Sequence, residues 1–103
     1  EQFVYTAGQV PIDPATGTLV TGSIEDQTRR ALENVKAVLE AAGTGLDRAV
    51  KMTVFMTNLD HFKRMNAVYA EFFPGAPPAR VCIEVCSLPK GARVEIDGVA
   101  QLS

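Results

Sequence analysis

The sequence predicts an α+β fold in which one mixed sheet is covered by two helices, in the order ββαβαββ. Two stretches, residues 23–42 and 58–72, repeat apolar side chains at helical spacing. The other stretches are short β-branched runs separated by proline and glycine. Because two helices can cover only one face of a sheet, the second face must meet water, a ligand or another subunit.

The N-terminal region predicts a strand followed by a short hairpin. QFVYTA, residues 2–7, forms the strand, which Gly8 interrupts before QVPID continues in an extended conformation. DPATG, residues 13–17, has the proline and glycine of a turn. Leu19 and Val20 then form a short return strand.

The first helix is predicted to begin at Ser23 and to end at Gly43. Ser23 can cap the helix N-terminus, and glycine is common just after a helix C-terminus. One helix face is apolar, and most charged residues lie on the other. The apolar positions are Ile24, Thr28, Ala31, Leu32, Val35, Val38, Leu39 and Ala42.

Three further elements follow this helix. VKMTVFMT, residues 50–57, is β-branched and aromatic with little charge, which predicts a buried strand. A second helix begins near Asn58 or Asp60 and stops at Pro74. ARVCIEVCSL, residues 79–88, is the next strand.

A Pro-Lys-Gly turn then leads to the last strand, ARVEIDGVAQL, residues 92–102. If this turn closes a simple hairpin, Glu84 lies opposite Glu95 and Arg80 lies opposite Val99. Arg80 and Glu95 are then about 13 Å apart along the sheet. A different register, or a pair formed across two subunits, is the alternative.

Composition and charge weigh against two classes of function. The 103 residues suggest one small domain, 1–103, which can fold alone but gains from oligomerising. A net charge of −2 lacks the basic character of a nucleic-acid binder. No apolar run approaches the roughly 20 residues of a membrane helix, and no signal peptide is visible. The chain starts at Glu1 without a methionine, so a targeting segment or first strand can lie upstream.

The two cysteines are predicted to lie on one strand and to remain unpaired. The Cα atoms of Cys82 and Cys86 would be about 13 Å apart, whereas a disulfide needs less than about 7 Å. Unpaired thiols suit a reducing compartment, so we expect a cytoplasmic protein, with a mitochondrial or other organellar location as the alternative. One histidine and two separated thiols make no metal ligand set, so no metal site is predicted.

The sheet face away from the helices is predicted to mix charges and thiols. Cysteine is among the most buried residue types, and charged residues are among the least buried. The mixture indicates partial burial, as at a subunit interface that encloses polar pockets. The residues assigned to this face are Arg80, Cys82, Glu84, Cys86 and Leu88 on one strand and Arg93, Glu95, Asp97 and Val99 on the other.

Arg80 is the strongest candidate for a ligand-binding residue. A guanidinium can hold a carboxylate through two parallel hydrogen bonds, which fixes the plane of the ligand as well as its charge. Pro77 and Pro78 just upstream restrict the loop and orient the arginine. A structural salt bridge to Glu84 or Glu95 is the alternative, and the spacing leaves both interpretations open.

Four further residues have both a functional and a structural interpretation. Glu95, in mid-strand, can act as an acid or base or can pair with a neighbouring arginine. Cys82 is more consistent with packing than with a nucleophile, because no histidine base is evident beside it. Gly8 permits close backbone approach to a ligand or forms a bulge. Asn66 lies on the second helix, either as a surface residue or as a contact across an interface.

The sequence resembles the RidA/YjgF family of reactive-intermediate (enamine/imine) deaminases. The resemblance covers nearly the whole chain, from about Thr6 to Ala100. PPAR before a β-strand and the LPKGA-VEI ending are specific when they occur together. The other matching segments are AGQVP with DPATG, TRRALENVKAVLEAAG and VKMTVFMTNLDHFKRMNAVYAEFF.

The resemblance implies a chorismate-mutase-like fold, a barrel-like homotrimer and three ligand clefts between subunits. It also implies hydrolysis of 2-aminoacrylate and 2-aminocrotonate, or their imine tautomers, to 2-keto acids and ammonia without a cofactor. By resemblance, Arg80 binds the substrate carboxylate and Glu95 acts near the substrate nitrogen and a water. The backbone at Gly8 and Cys82, together with Asn66, is expected to line the same cleft.

The sequence departs from the family pattern in two places. Ala7 stands where many members have a serine or threonine, so a hydroxyl contact is missing. A tyrosine of the family's cleft falls before the first residue given, and Tyr5 is not its equivalent, so the N-terminal family segment is expected to be missing. These departures bear on activity and leave the expected fold unchanged.

Two other functions compete with the deaminase. One is a trimer that binds a 2-keto acid or similar carboxylate as a regulator without turnover, which Arg80 alone would explain. The other is a translation inhibitor or endoribonuclease, which the net charge of −2 and the lack of a basic, aromatic surface disfavour.

Overall fold

The computed structural model describes residues 2–102 and has the α+β architecture that the sequence predicts. A mixed four-stranded sheet has the order β1-β6-β4-β5, with β4 and β5 parallel and the other pairs antiparallel. A separate hairpin, β2–β3, lies near the start of the chain. The strands are β1 Phe3–Tyr5, β2 Ile12–Asp13, β3 Thr18–Leu19, β4 Ala49–Met56, β5 Ala79–Glu84 and β6 Val94–Gln101, and the helices are α1 Ile24–Ala41 and α2 Phe62–Glu71.

Helix α1 begins and ends at the residues expected from its capping signals. The Ser23 hydroxyl accepts a hydrogen bond from the Asp26 amide at 3.1 Å. Gly43, just beyond the helix, has φ +94°, a conformation that side chains disfavour. Short 3₁₀ turns occupy Leu46–Arg48, Leu59–His61 and Pro89–Gly91.

The core lies between the two helices and one face of the sheet. Burial alternates along the central strands, as expected where only one face is covered. Helix α1 contributes its apolar stripe, and α2 contributes Met65, Val68 and Tyr69. The fully buried strand residues are Met52, Val54, Met56, Val94, Ile96 and Ala100.

Ion pairs join the outer surfaces of the two helices. Arg64 donates to both carboxylate oxygens of Glu25, at 2.9 and 2.8 Å. Arg29 and Glu71 form the second pair, at 2.9 Å. The first contact lies near the start of α1 and the second near the end of α2, so they link the two helices at two positions.

The last two strands do not form the simple hairpin, so the alternative of a different register applies. Strand β4 lies between β5 and β6, so the turn at Pro89–Gly91 connects strands that are not neighbours. Strand β5 also ends at Glu84 rather than at residue 88. Glu95 on β6 pairs with Phe55 on β4, and Phe55 pairs in turn with Ile83 on β5.

The assignment of Arg80 and Glu95 to one sheet face is wrong. Arg80 aligns with the buried Met52, so it lies on the helix-covered face, as do Cys82 and Glu84 on the same strand. Glu95 lies between two buried residues of β6 and therefore points to the opposite, open face. The aliphatic side chains of β5 face that open side and remain exposed.

None of the helices within residues 2–102 combines the length and apolar character required to cross a bilayer.

Candidate functional site

Arg80 lies at the edge of the sheet, beneath helix α2. Its guanidinium carbon is 4.6 Å from the centre of the Tyr69 ring and 5.4 Å from that of Phe62. Its Nη1 donates to Oδ1 of Asn66 at 2.6 Å. A cation held over aromatic faces is stabilised by their negative quadrupole and loses mobility. We call Asn66, Arg80 and Cys82 the arginine half-site.

The guanidinium of Arg80 has no carboxylate partner in the part of the chain that the structure describes. Glu84 instead accepts a hydrogen bond from the backbone amide of Leu59 at 2.9 Å. Glu95 lies on the other face of the sheet. An arginine has five N–H donors, and among residues 2–102 one acceptor, Oδ1 of Asn66, engages those of Arg80. The remaining donors suit a planar anion.

A pocket of about 420 Å³ adjoins this guanidinium. Its polar side chains are Arg80 and Asn66, and the other lining residues are mostly apolar. An apolar hollow with one fixed charge is typical of a site for a small organic anion. The apolar lining is Tyr69, Ala70, Phe73, Pro77 and Pro78.

Burial raises the pKa of two titratable groups beside Arg80. Burial raises the pKa of the Tyr69 hydroxyl to about 12, with the Arg80 charge acting in the opposite direction. Burial likewise raises the pKa of the Cys82 thiol, again against the effect of Arg80. A protonated thiol is a poor nucleophile, which favours the packing interpretation of Cys82.

Glu95 and Gly8 form a second cluster, which we call the glutamate half-site. Glu95 is half-buried on β6, and its carboxylate makes no hydrogen bond or ion pair with residues 2–102. A methyl group built on Gly8 would lie 1.8 Å from Oε2 of Glu95. The carboxylate therefore lies directly on the Gly8 backbone, which no other residue would permit without displacing it.

Gly8 also lies in a bulge, which is the structural interpretation of this glycine. Tyr5 pairs with Val99, whereas Gln9 pairs with Ile96, so the N-terminal segment contains one extra residue. On its β6 side, Gln9 exchanges backbone hydrogen bonds of 2.8 and 3.0 Å with Ile96. The bulge brings the backbone up against the Glu95 side chain.

The five predicted site residues thus form two groups on opposite faces of one sheet. Asn66, Arg80 and Cys82 lie on the helix side, and Gly8 and Glu95 lie on the open side. The sequence did not reveal that Phe62 and Tyr69 would hold the guanidinium, because their helical spacing indicated core packing. No group of three or more His, Cys, Asp or Glu residues suited to a metal occurs in residues 2–102.

Comparison with known proteins places the chain among small α+β proteins with two helices over a mixed sheet. A family model described as endoribonuclease L-PSP matches residues 1–102. A RutC family protein of Pyrococcus horikoshii is 52% identical over 98 residues, which cover 95% of this chain and 78% of that protein. The chain belongs to the RidA/YjgF family.

Solved structures of relatives have the same fold. The Rid family protein YyfA of Yersinia pestis matches with a TM-score of 0.92 and 49% identity, over 95% of this chain and 79% of that one. Escherichia coli TdcF, solved with bound serine, matches with a TM-score of 0.93 and 42% identity, over 98% of this chain and 81% of that one. The resemblance read from the sequence motifs is confirmed at the level of family and fold.

Proposed function

We propose that this protein is an imine deaminase, which hydrolyses 2-aminoacrylate and 2-aminocrotonate, through their imine tautomers, to 2-keto acids and ammonia. The observation that carries the proposal is the Arg80 guanidinium, held by two aromatic rings with unused donors. Such a group suits the carboxylate that these substrates share. The bound serine in the TdcF structure, also a small carboxylate, supports a ligand of this kind.

In the proposed reaction Arg80 binds and orients the substrate, and Glu95 accepts and donates protons. Arg80 binds the carboxylate through two hydrogen bonds, which orients the adjacent imine carbon. Glu95 accepts a proton from a water whose oxygen bonds to that carbon, and it passes this proton to the imine nitrogen to give a neutral carbinolamine. The carbinolamine hydroxyl then gives its proton, through Glu95, to the amino nitrogen, so the C–N bond breaks, the C=O bond forms and ammonia leaves the keto acid. The reaction needs no cofactor because the imine is already electrophilic.

The proposal requires a homotrimer in which each cleft lies between two subunits. One chain carries the two half-sites on opposite faces of its sheet, so a single copy does not direct Arg80 and Glu95 at the same substrate. A second copy can present its glutamate half-site to the arginine half-site of the first. Four exposed apolar residues on the open face support such contact: Phe3, Tyr5, Val81 and Ile83.

A coupled assay tests the proposal. A dehydratase generates the imine, and keto-acid release is timed with wild type, Arg80→Ala and Glu95→Gln. We expect wild type to accelerate release and both variants to lose most of that acceleration. Arg29→Ala and Glu71→Gln are matched controls, because they remove the same side-chain types from an exposed ion pair on the helices.

Failure of wild type to accelerate release would overturn the enzymatic proposal. If a keto acid then still binds by calorimetry, and Arg80→Ala abolishes that binding, the protein is a carboxylate-binding regulator. Endoribonuclease activity, which the family description names, has less support here, because the net charge is −2.

A further inference from the structure

Asn34, on helix α1, makes four hydrogen bonds away from both half-sites. Its Nδ2 donates to the backbone oxygens of Val10 at 3.2 Å and Ile12 at 2.9 Å. Its Oδ1 accepts from Nε of Arg30 at 3.2 Å and from Nη2 of the same arginine at 3.0 Å. A side-chain amide has two donor hydrogens and two acceptor lone pairs, so the hydrogen-bonding capacity of Asn34 is fully used.

These hydrogen bonds act on the segment that carries Gly8. Val10 and Ile12 directly follow the Gly8–Gln9 bulge, and Gln9 is bonded on its other side to Ile96, next to Glu95. The segment is therefore held between α1 and β6. Because glycine has the widest backbone freedom of any residue, the position of Gly8 depends on the hydrogen bonds that hold this segment to α1 and to β6.

We propose that Asn34 is a positioning residue for Glu95, acting through the Gly8 backbone. By holding Val10 and Ile12 towards α1, it sets how closely Gly8 approaches the carboxylate, and Arg30 fixes the orientation of the Asn34 amide. The Glu95 carboxylate lies against Gly8, so a shift of the segment moves the carboxylate. This inference rests on the proposed deaminase function and adds a residue to its machinery.

A purely structural role for Asn34 makes a different prediction. A side chain that only attaches the β2–β3 region to α1 would affect unfolding without altering the reaction. Thr44 provides the matched control, because its hydroxyl donates to the backbone oxygen of Gln101 at 2.6 Å. That bond also holds strand β6, but six residues from Glu95 and far from the Gly8 bulge.

The test compares Asn34→Leu, Asn34→Asp and Thr44→Val in the coupled assay. We expect the Asn34 variants to lower kcat by about one to two orders of magnitude, the effect of displacing a reacting group by a fraction of an ångström to an ångström. KM should change less than twofold, because Arg80 governs carboxylate binding from the other half-site. Thr44→Val should leave kcat unchanged even if it lowers the unfolding midpoint.

A second readout does not depend on turnover. In protein with ¹³C-labelled glutamate, the Glu95 carboxyl resonance should shift in the Asn34 variants and stay in place in Thr44→Val. An unchanged resonance with unchanged kcat would overturn the positioning role, whereas a wild type without turnover would overturn the deaminase function alone. If Asn34→Leu does not fold, Arg30→Met leaves the asparagine in place and should produce a smaller shift of the same resonance.

Discussion

At the scale of single residues, the contact between Gly8 and Glu95 requires a residue without a side chain at position 8. The atom that a Gly8 side chain would meet is the end of a flexible carboxylate, not backbone. Glu95 can therefore rotate away from an added methyl at little cost in folding energy. Its position relative to a substrate, however, would change by about the width of that methyl group.

Gly8→Ala should therefore separate activity from stability. We expect keto-acid release to fall by about tenfold or more, with a loss of unfolding free energy below about 1 kcal/mol. The coupled assay and urea denaturation measure the two effects. Gly45→Ala is the control, because a methyl group there also meets a carboxylate oxygen, Oδ1 of Asp47 at 2.8 Å, but lies in neither half-site. A large loss of stability in Gly8→Ala would mean that the glycine is required for folding, not for placing Glu95.

The Tyr69 hydroxyl is a group whose removal should stabilise the protein, because it is buried without a hydrogen-bond partner in residues 2–102. A buried polar group that lacks a partner costs roughly 1–3 kcal/mol. Tyr69→Phe removes the hydroxyl and keeps the ring that contacts Arg80. We expect it to raise the free energy of unfolding by about 1 kcal/mol, measured by urea denaturation.

Tyr69→Leu is the companion variant, because it removes the ring as well as the hydroxyl. It should lower the unfolding free energy and weaken keto-acid binding, since the guanidinium loses one of its two aromatic contacts. Destabilisation by Tyr69→Phe would instead indicate that the hydroxyl has a partner in the assembled protein.

Sequence reasoning at this scale found the reactive groups but not what surrounds them. Arg80 was identifiable because it follows Pro77 and Pro78 at the start of a strand, and Glu95 because it lies in mid-strand. The rings of Phe62 and Tyr69 around the guanidinium were not, since the same helical spacing also describes a core helix. Asn34 gave no signal, because an asparagine in mid-helix shows its role only through the distant backbone that it contacts.

At the scale of elements, local signals predicted the helices well and could not predict the sheet order. Ser23, Gly43 and the apolar stripe of α1 each act within a few residues of their own position, so sequence reveals them. The insertion of β4 between β5 and β6 depends on contacts between residues 28 to 51 positions apart in the chain. Alternation likewise tells which residues of β5 share a face, but not which face the helices cover.

The docking of α1 on α2 should weaken in acid. Arg64 holds the pKa of Glu25 at about 2, down from 4.5, mainly through their hydrogen bonds. Because the folded-state pKa is depressed, the contribution of this pair is full above pH 4.5 and is lost as the pH falls towards 2. Urea midpoints should therefore decline more steeply over this range in wild type than in Glu25→Gln.

Glu40→Gln provides the comparison for that experiment, because Glu40 lies exposed on the same helix and forms no ion pair within residues 2–102. It should retain the steeper decline of wild type. Equal slopes for Glu25→Gln and wild type would contradict a role for the Glu25–Arg64 pair in acid stability. The effect should be modest, since both side chains are substantially exposed and screened by solvent.

At the scale of the whole molecule, the open face of the sheet carries apolar side chains that no other part of a single copy covers. Val81 and Ile83 are each 41% exposed on β5, and Tyr5 is 75% exposed on β1. The edge of β5 away from β4 also pairs with no other strand in residues 2–102. Such an edge and face are a liability in a free monomer and suit a surface covered by another copy.

Ile83→Lys should break the proposed trimer while leaving the fold intact. A charge on a covered apolar surface loses hydration, so association should weaken by several kcal/mol. Sedimentation velocity should show a trimer for wild type and a monomer for the variant, with unchanged far-ultraviolet circular dichroism. Leu59→Lys is the control, because Leu59 is similarly exposed, at 39%, but lies outside the sheet. Wild type sedimenting as a monomer would contradict the assembly.

The separation of the two half-sites on opposite faces of the sheet has a consequence for inheritance. If each cleft takes Arg80 from one subunit and Glu95 from its neighbour, two alleles that are inactive alone can restore function together. Random mixing of Arg80→Ala and Glu95→Gln subunits would leave about one quarter of the clefts with both native groups. In the coupled assay, mixed subunits should then recover part of the keto-acid release that either variant alone lacks.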